Sequence, residues 1–136
     1  MARLTTTVIL TLIVLSAACS YTPTLPSPFS SPSAQVLKGA VYPTGITTFW
    51  LTTTQGGTLR MTLTGVEPGP ITLGLGFGGP SSQGTRCNLS VRNDIQAGST
   101  PQITAPVDAG TYCVEVFDVG FVTVSGATFS VRVLFQ

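Results

Sequence analysis

The sequence predicts an all-β domain, a small antiparallel β-sandwich of seven or eight strands. Apolar and polar residues alternate with a period of two in several short segments, most clearly in residues 58–64 and 127–135. Turns containing glycine or proline separate these segments, and no stretch after residue 36 has the spacing of an amphipathic helix. Short strands at this spacing are typical of antiparallel sandwiches.

Eight segments between residues 36 and 136 have the composition of strands. In two of them the alternation places a set of apolar side chains on one face, namely Leu59, Met61 and Leu63, and Phe129, Val131, Val133 and Phe135. The predicted strands cover residues 37–42, 46–54, 58–64, 71–77, 86–92, 102–105, 109–120 and 127–135.

The chain begins with the parts of a signal peptide in their usual order. Arg3 precedes an apolar run around residues 8–15, and the small residues Ser16, Ala17 and Ala18 follow. The run is shorter than the roughly 20 residues that a membrane-spanning helix needs. We therefore expect residues 1–18 to be removed on export.

Leu15-Ser-Ala-Ala-Cys19 resembles the lipobox of bacterial lipoproteins, with serine where leucine is usual. The resemblance implies that diacylglycerol is attached to the Cys19 thiol, that the chain is cut before Cys19, and that a further acyl chain is added. It implies a lipid-anchored protein of the bacterial cell envelope; if the cell is Gram-negative, the membrane is the outer one, because Ser20 rather than aspartate follows Cys19. Alternatively, ordinary signal peptidase cuts the same bond and leaves Cys19 unmodified.

Residues 19–35 are interpreted as the lipidated cysteine and a tether. Prolines at positions 23, 26, 28 and 32, set among serines and threonines, favour an extended segment without a core of its own. Residues 36–136 remain for the sandwich, enough for one domain.

Charge excludes one class of partner. Only 8% of the residues are charged. Once Arg3 is removed with the leader, the chain contains five basic and five acidic residues, so they balance. No basic run follows, so we expect no binding to nucleic acid.

The remaining two cysteines, Cys87 and Cys113, form an even pair in an exported chain, which predicts a disulfide. Two buried free thiols are the alternative. The alternation places Cys87 on the inward face with Leu89 and Val91, whereas Cys113 faces outward. A bridge therefore requires that Cys87 lie just outside its strand, or that a bulge lie near one cysteine.

A second resemblance covers residues 36–136. Ala109-Gly-Thr-Tyr112 with the strand after it, and Thr48-Phe-Trp50 followed by residues 57–63, look like the bacterial pre-peptidase C-terminal domain. The resemblance implies a jelly-roll-like sandwich. The family's aspartate-rich middle strand corresponds here to residues 70–77, which contain no acid, so the resemblance carries no calcium site.

The glycines of residues 74–79 match the letters of a dinucleotide-binding pattern, but a loop and not a helix follows them. We expect these glycines to permit close packing of the sheet or a bulge.

Catalytic chemistry is not predicted. The sequence contains no histidine, the usual base for a serine or cysteine nucleophile. The acids lie in turns, where aspartate caps backbone groups, or in strands. We therefore predict no enzyme activity, no metal site and no cofactor, and a hydrolase of unfamiliar type is the third hypothesis.

Exposed aromatic rings offer a surface on which sugars can stack, and the candidates are Trp50, Tyr42 and Phe77, with Phe117 and Phe121. A lone tryptophan in a small sandwich is, alternatively, a core residue. We predict a non-catalytic binding or structural module with an envelope protein or polysaccharide as its partner. A carbohydrate-binding module is the alternative.

Overall fold

The computed structural model describes residues 33–136, and each regular element of this part of the chain is a β-strand. The leader, Cys19 and the tether up to residue 32 lie outside the described residues. The strands are β1 (Ser33–Val41), β2 (Ile46–Thr53), β3 (Gly57–Glu67), β4 (Leu73–Pro80), β5 (Cys87–Ile95), β6 (Ile103–Val107), β7 (Gly110–Asp118) and β8 (Ala127–Phe135). The all-β prediction is confirmed, and β1 begins three residues before the predicted start of the domain.

The strands form two four-stranded antiparallel sheets. Their orders are β1-β8-β3-β6 and β2-β7-β4-β5. Consecutive strands lie in different sheets except for the hairpin of β4 and β5, so nearly every connection crosses from one sheet to the other. This is the strand order of a jelly roll, the expected form of the sandwich.

The core lies between the sheets and is made by the alternation that the sequence shows. Leu59, Met61 and Leu63 of β3 are fully buried, and so are Val131, Val133 and Phe135 of β8. On the other sheet Leu73, Leu75 and Phe77 of β4 face them with Val114 and Val116 of β7. Burial of these side chains is the main source of stability, at about 25 cal/mol for each Å² of apolar surface removed from water.

A turn closed by Tyr112 joins the two sheets between β6 and β7. The Tyr112 hydroxyl accepts a hydrogen bond from the Asp108 backbone N–H at 2.9 Å and donates one to the Asp108 carbonyl at 3.1 Å. The same ring stacks on Phe77 with its centroid 5.5 Å away. The Gly110-Thr-Tyr112 motif thus has a structural role, because it fixes the turn against the core.

A disulfide joins Cys87 of β5 to Cys113 of β7, as predicted. These strands are not neighbours, since β4 lies between them. The two Cα atoms are 5.8 Å apart, and Cys113 Sγ lies 3.3 Å from the carbonyl oxygen of Gly79. A β-carbon on Gly78 would overlap the backbone of Asn88. The glycine end of β4 therefore lets β5 approach closely enough for the bridge.

A bulge explains how both cysteines reach one face. Phe77 pairs with Val91, but the next residue, Gly78, pairs with Leu89, so Ser90 is an extra residue in β5. Val91 packs against the core, whereas Leu89 lies over Gly76 on the outer face. Cys87, two residues before Leu89, shares that outer face with Cys113. The predicted bulge is present, and Cys87 is also the first residue of its strand.

Replacing both cysteines, Cys87→Ser with Cys113→Ser, is expected to lower the free energy of unfolding by about 3 kcal/mol. The bridge closes a loop with a sequence separation of 26 residues and so restricts the unfolded chain. Urea denaturation of both proteins measures the difference. Alkylation of the unreduced parent protein is expected to label neither cysteine, and labelling of both would contradict the bridge.

Candidate functional site

The outer face of the second sheet carries the first candidate site. In β2 the alternation directs Ile46, Thr48 and Trp50 outward, while Phe49 and Leu51 face the core. Ile46 is 62% exposed and Trp50 is 38% exposed. The structure therefore decides between the two interpretations of Trp50: it is a surface residue.

Trp50 lies beside the disulfide. It pairs with Cys113 across the ladder of β2 and β7, and side chains of directly opposed residues share a face. Cys113 is fully buried although it faces outward. Of the two bridged residues only Cys87 therefore reaches the surface beside Trp50, and Cys113 lies beneath it.

A shallow depression of about 430 Å³ surrounds Trp50. Its walls come from β2, from β7 and from the loop that precedes β5. We call it the Trp50 depression, and its residues are Ile46, Thr48, Trp50, Thr85, Arg86, Cys87 and Glu115.

Two opposite charges face the Trp50 depression. The Glu115 carboxylate accepts a hydrogen bond from the Thr48 hydroxyl at 3.1 Å through one oxygen. Among residues 33–136 the only ion pair joins Arg92 and Asp94, so neither Glu115 nor Arg86 has an ionic partner in this part of the chain. The depression therefore offers a guanidinium with five N–H donors and a carboxylate oxygen that are both free to bind.

The rest of this outer face is closed by side chains that lie over glycines. A β-carbon on Gly74 would overlap the ring of Phe117, and one on Gly76 would overlap Leu89. The Arg92 guanidinium lies 4.5 Å from the centroid of the Phe117 ring, and it also pairs with Asp94 at 3.7 Å. As expected from the sequence, these glycines serve close packing.

The three predicted aromatic residues lie in different places. Trp50 lies in the depression, and Tyr42 is 60% exposed but lies in the turn between β1 and β2. The prediction for Phe77 is wrong, because this ring is only 5% exposed and stacks on Tyr112. The reason is the alternation of β4, which directs Leu73, Leu75 and Phe77 toward the core and Gly74, Gly76 and Gly78 outward. Phe117 is likewise buried, whereas Phe121 is 60% exposed.

A second surface consists of exposed apolar residues in two neighbouring loops. Tyr42 lies in the loop between β1 and β2, and Phe121 and Val124 lie in the loop between β7 and β8. Phe121 is as exposed as Tyr42, and Val124 is 94% exposed. We call Tyr42, Phe121 and Val124 the apolar loop cluster. The sequence analysis named both aromatic residues but not Val124, whose exposure no short-range pattern shows.

Asp118 at the end of β7 holds both loops. One carboxylate oxygen accepts hydrogen bonds from the backbone N–H groups of Gly120, Phe121 and Val122, at 2.8, 3.0 and 3.0 Å. The other accepts the N–H of Thr44 at 2.9 Å. A single side chain thus fixes the conformation of the loop that presents Phe121 and connects it to the turn that presents Tyr42.

These hydrogen bonds favour the charged carboxylate. The N–H of Thr44 and then that of Val122 lower the pKa of Asp118 below its ordinary value of 3.8, and Gly120 and Phe121 act in the same direction, while burial opposes them. Two of the acids thus have local roles through their carboxylates, Asp118 in the loops and Asp94 with Arg92, whereas Asp108 enters the Tyr112 turn through its backbone. Within residues 33–136 no three metal-binding side chains are grouped, and no helix is long and apolar enough to cross a membrane.

The fold is a jelly-roll β-sandwich that carries the Trp50 depression on the outer face of one sheet and the apolar loop cluster at one end. Solved structures share this fold. The Yersinia pseudotuberculosis-derived mitogen (YPM) matches with a TM-score of 0.53 and 12% identity, over 77% of this chain and 87% of that chain. PliG of Aeromonas hydrophila, a periplasmic lysozyme inhibitor of g-type lysozyme, matches with a TM-score of 0.51 and 17% identity, over 81% and 93%.

PliG of Salmonella Typhimurium matches with a TM-score of 0.48 and 12% identity, over 81% of this chain and 94% of that chain. No protein-family model and no curated protein matches the sequence. At these identities the mitogen and the Aeromonas inhibitor show a shared fold.

Asp118 is expected to make stability depend on pH. Its pKa is lower in the folded protein than in the unfolded chain, so its contribution is complete above about pH 4 and is lost as the pH falls through the folded-state pKa. Urea denaturation between pH 2 and pH 7 is expected to show the parent more stable than Asp118→Asn at neutral pH, with a difference that shrinks below pH 4. Asp94→Asn, which also removes one carboxylate, controls for net charge. A difference independent of pH would contradict this role.

Proposed function

We propose that this protein is an exported, lipid-anchored module that displays its sandwich at the bacterial cell envelope and binds a protein partner without catalysis. The signal-peptide pattern of residues 1–18 and the lipobox resemblance at Cys19 support export and anchoring. The Cys87–Cys113 bridge supports export as well, since disulfides persist in oxidising compartments. One protein of the same fold, PliG, is periplasmic. The jelly-roll strand order supports the resemblance to the pre-peptidase C-terminal domain, which stays a prediction.

The apolar loop cluster and Ser33, the first described residue, lie at opposite ends of the sandwich. Ser33 pairs with Phe135 at one end of the ladder of β1 and β8, and Val41 pairs with Ala127 at the other. The intervening residues of β1 separate these ends by about 25 Å. The apolar loop cluster therefore lies at the end of the sandwich far from Ser33, the first described residue.

The apolar loop cluster carries the proposal of a protein partner. Exposed apolar side chains grouped on a small domain mark interaction sites, and tyrosine is enriched at protein interfaces. Asp118 holds the loops before binding, which reduces the entropy lost on association. Residues 42–45 and 119–126 contain no lysine or arginine, so the cluster lacks the basic residues with which proteins attach to anionic lipid. We infer that the partner presents an apolar cleft; PliG likewise acts on a protein, a g-type lysozyme.

A second candidate function, carbohydrate binding, is favoured by the Trp50 depression. Trp50 is exposed there beside a free carboxylate oxygen and a free guanidinium, which is the combination of ring and polar groups that sugar recognition needs. Of the aromatic residues predicted for this role only Trp50 lies in the depression.

The anchor is tested by the intact mass of the protein extracted from membranes. We expect the mature chain to begin at Cys19 and to carry the mass of diacylglycerol and a further acyl chain, whereas Cys19→Ala carries no lipid. Two or three acyl chains hold a protein durably at about 0.8 kcal/mol for each buried CH₂. A parent mass equal to that of the unmodified chain from Cys19 would remove the anchor from the proposal, because signal peptidase cuts the same bond.

The docking surface is tested by a photo-crosslinking amino acid at position 124 of the full-length chain in cells. We expect one discrete protein adduct, identified by mass spectrometry, and a yield about tenfold lower when Phe121→Ser is added, because interface aromatics contribute strongly to affinity. Position 36, where Val36 is 53% exposed near the Ser33 end, is the matched control and is expected to give none. No adduct at position 124, or equal adducts at both positions, would contradict docking through the cluster.

A further inference from the structure

We propose that the Trp50 depression binds one neutral sugar ring of a glycan chain. This inference rests on the second candidate function and names its ligand class; it is independent of the protein partner at the apolar loop cluster. The four features that carry it are an exposed aromatic ring, a pair of free opposite charges, a suitable volume and a rigid frame.

The aromatic ring provides the apolar contact. Trp50 is 38% exposed and lines the depression, and Ile46 extends the apolar surface on the same face of β2. The C–H face of a pyranose is apolar while its rim carries hydroxyl groups. Tryptophan suits such a ligand because it combines a large apolar surface with an N–H donor.

The charges favour a ligand without net charge. Glu115 and Arg86 each attract one sign of ligand and repel the other, so together they favour neither an acidic nor a basic ligand, whereas a purely apolar ligand would bury both charges without partners, which is costly. A neutral hydroxylated ring satisfies both groups. Its hydroxyls donate to the Glu115 oxygen that Thr48 leaves free, and its oxygens accept from Arg86. The Thr85 hydroxyl adds a donor and an acceptor, and the Thr48 hydroxyl, whose hydrogen goes to Glu115, adds an acceptor.

The size of the depression sets the scale of the ligand. At about 430 Å³ it lies within the range of about 300–1,000 Å³ that is usual for small-ligand sites. It lies on the face of a sheet and has no cover, so the chain on either side of the bound ring can continue into solvent. We therefore infer a ring within a longer glycan.

The frame is fixed before binding. The loop before β5 is closed by the Ser81 N–H bonding to the Arg86 carbonyl at 2.7 Å and by the Arg86 N–H bonding to the Ser81 hydroxyl at 3.3 Å. Cys87, the next residue, is bonded to Cys113, the cross-strand partner of Trp50. The disulfide thus connects the Arg86 side of the depression to the Trp50 side, and such preorganisation reduces the entropic cost of binding.

The experiment uses the full-length chain and its single tryptophan as the reporter. Tetrasaccharides of β-1,4-linked glucose, mannose and N-acetylglucosamine and of α-1,4-linked glucose are the neutral probes. Tetrasaccharides of galacturonic acid and of glucosamine are the acidic and basic probes. We expect at least one neutral probe to change the emission of Trp50 and to bind in calorimetry, and the charged probes to bind at least tenfold more weakly.

Variants show whether the binding uses the proposed contacts. Trp50→Ala is expected to abolish calorimetric binding and Trp50→Phe to retain part of it, while Glu115→Gln weakens it about tenfold through loss of a hydrogen bond to a charged group. Thr52→Ala, an exposed β2 residue on the same face but outside the depression, is expected to leave it unchanged. Urea denaturation confirms that each variant is folded.

Three outcomes would overturn the inference: binding by none of the neutral probes, tighter binding of a charged probe, or binding that persists in folded Trp50→Ala. A protein adduct from a photo-crosslinker at position 85 would also overturn it, because it would assign the depression to a protein partner. None of these results changes the expected adduct at position 124, so the glycan site and the protein partner succeed or fail separately.

Discussion

The Cys87–Cys113 disulfide is the constraint on which the functional face depends. It connects two strands that have a third between them, and it can do so because β4 has a glycine, Gly78, where β5 approaches. The bulge at Ser90 then turns Leu89 and Cys87 onto the outer face. Without the bulge the Cys87 side chain would point into the core, on the other face of the sheet from Cys113. The bridge could then not form. The glycines, the bulge and the disulfide are therefore one structural unit, and Trp50 lies at its margin.

The strands were predictable because their signal is local. Alternation with a period of two appears directly in the order of residues, so segments such as those containing Met61 and Val131 were placed correctly with their buried faces. The face of Trp50 was not predictable in the same way. In β2 an aromatic residue occupies each face, Phe49 inward and Trp50 outward, and only the pairing with β7 decides between them. The prediction for Phe77 failed since β4 has its apolar residues on one face and glycine on the other.

The long-range features of the site had no local signal at all. Asp118 connects to Thr44 across 74 residues of sequence, and Arg86 and Glu115 face one depression from different parts of the chain. In a jelly roll nearly every connection crosses between the sheets, so residues that meet at one end or on one face are distant in sequence. Composition could identify the residue types, but only the strand order could place them together.

The two surfaces differ in the physical basis of recognition, which argues for two kinds of ligand. The apolar loop cluster has no free charge of its own, because hydrogen bonds from four backbone N–H groups already engage the Asp118 carboxylate. It can gain affinity mainly by removing apolar surface from water. The Trp50 depression contains less exposed apolar surface but two charges without ionic partners among residues 33–136. Burying it under an apolar cleft would leave those charges desolvated, whereas a hydroxylated ring would satisfy them. The loops thus suit a protein and the depression suits a sugar.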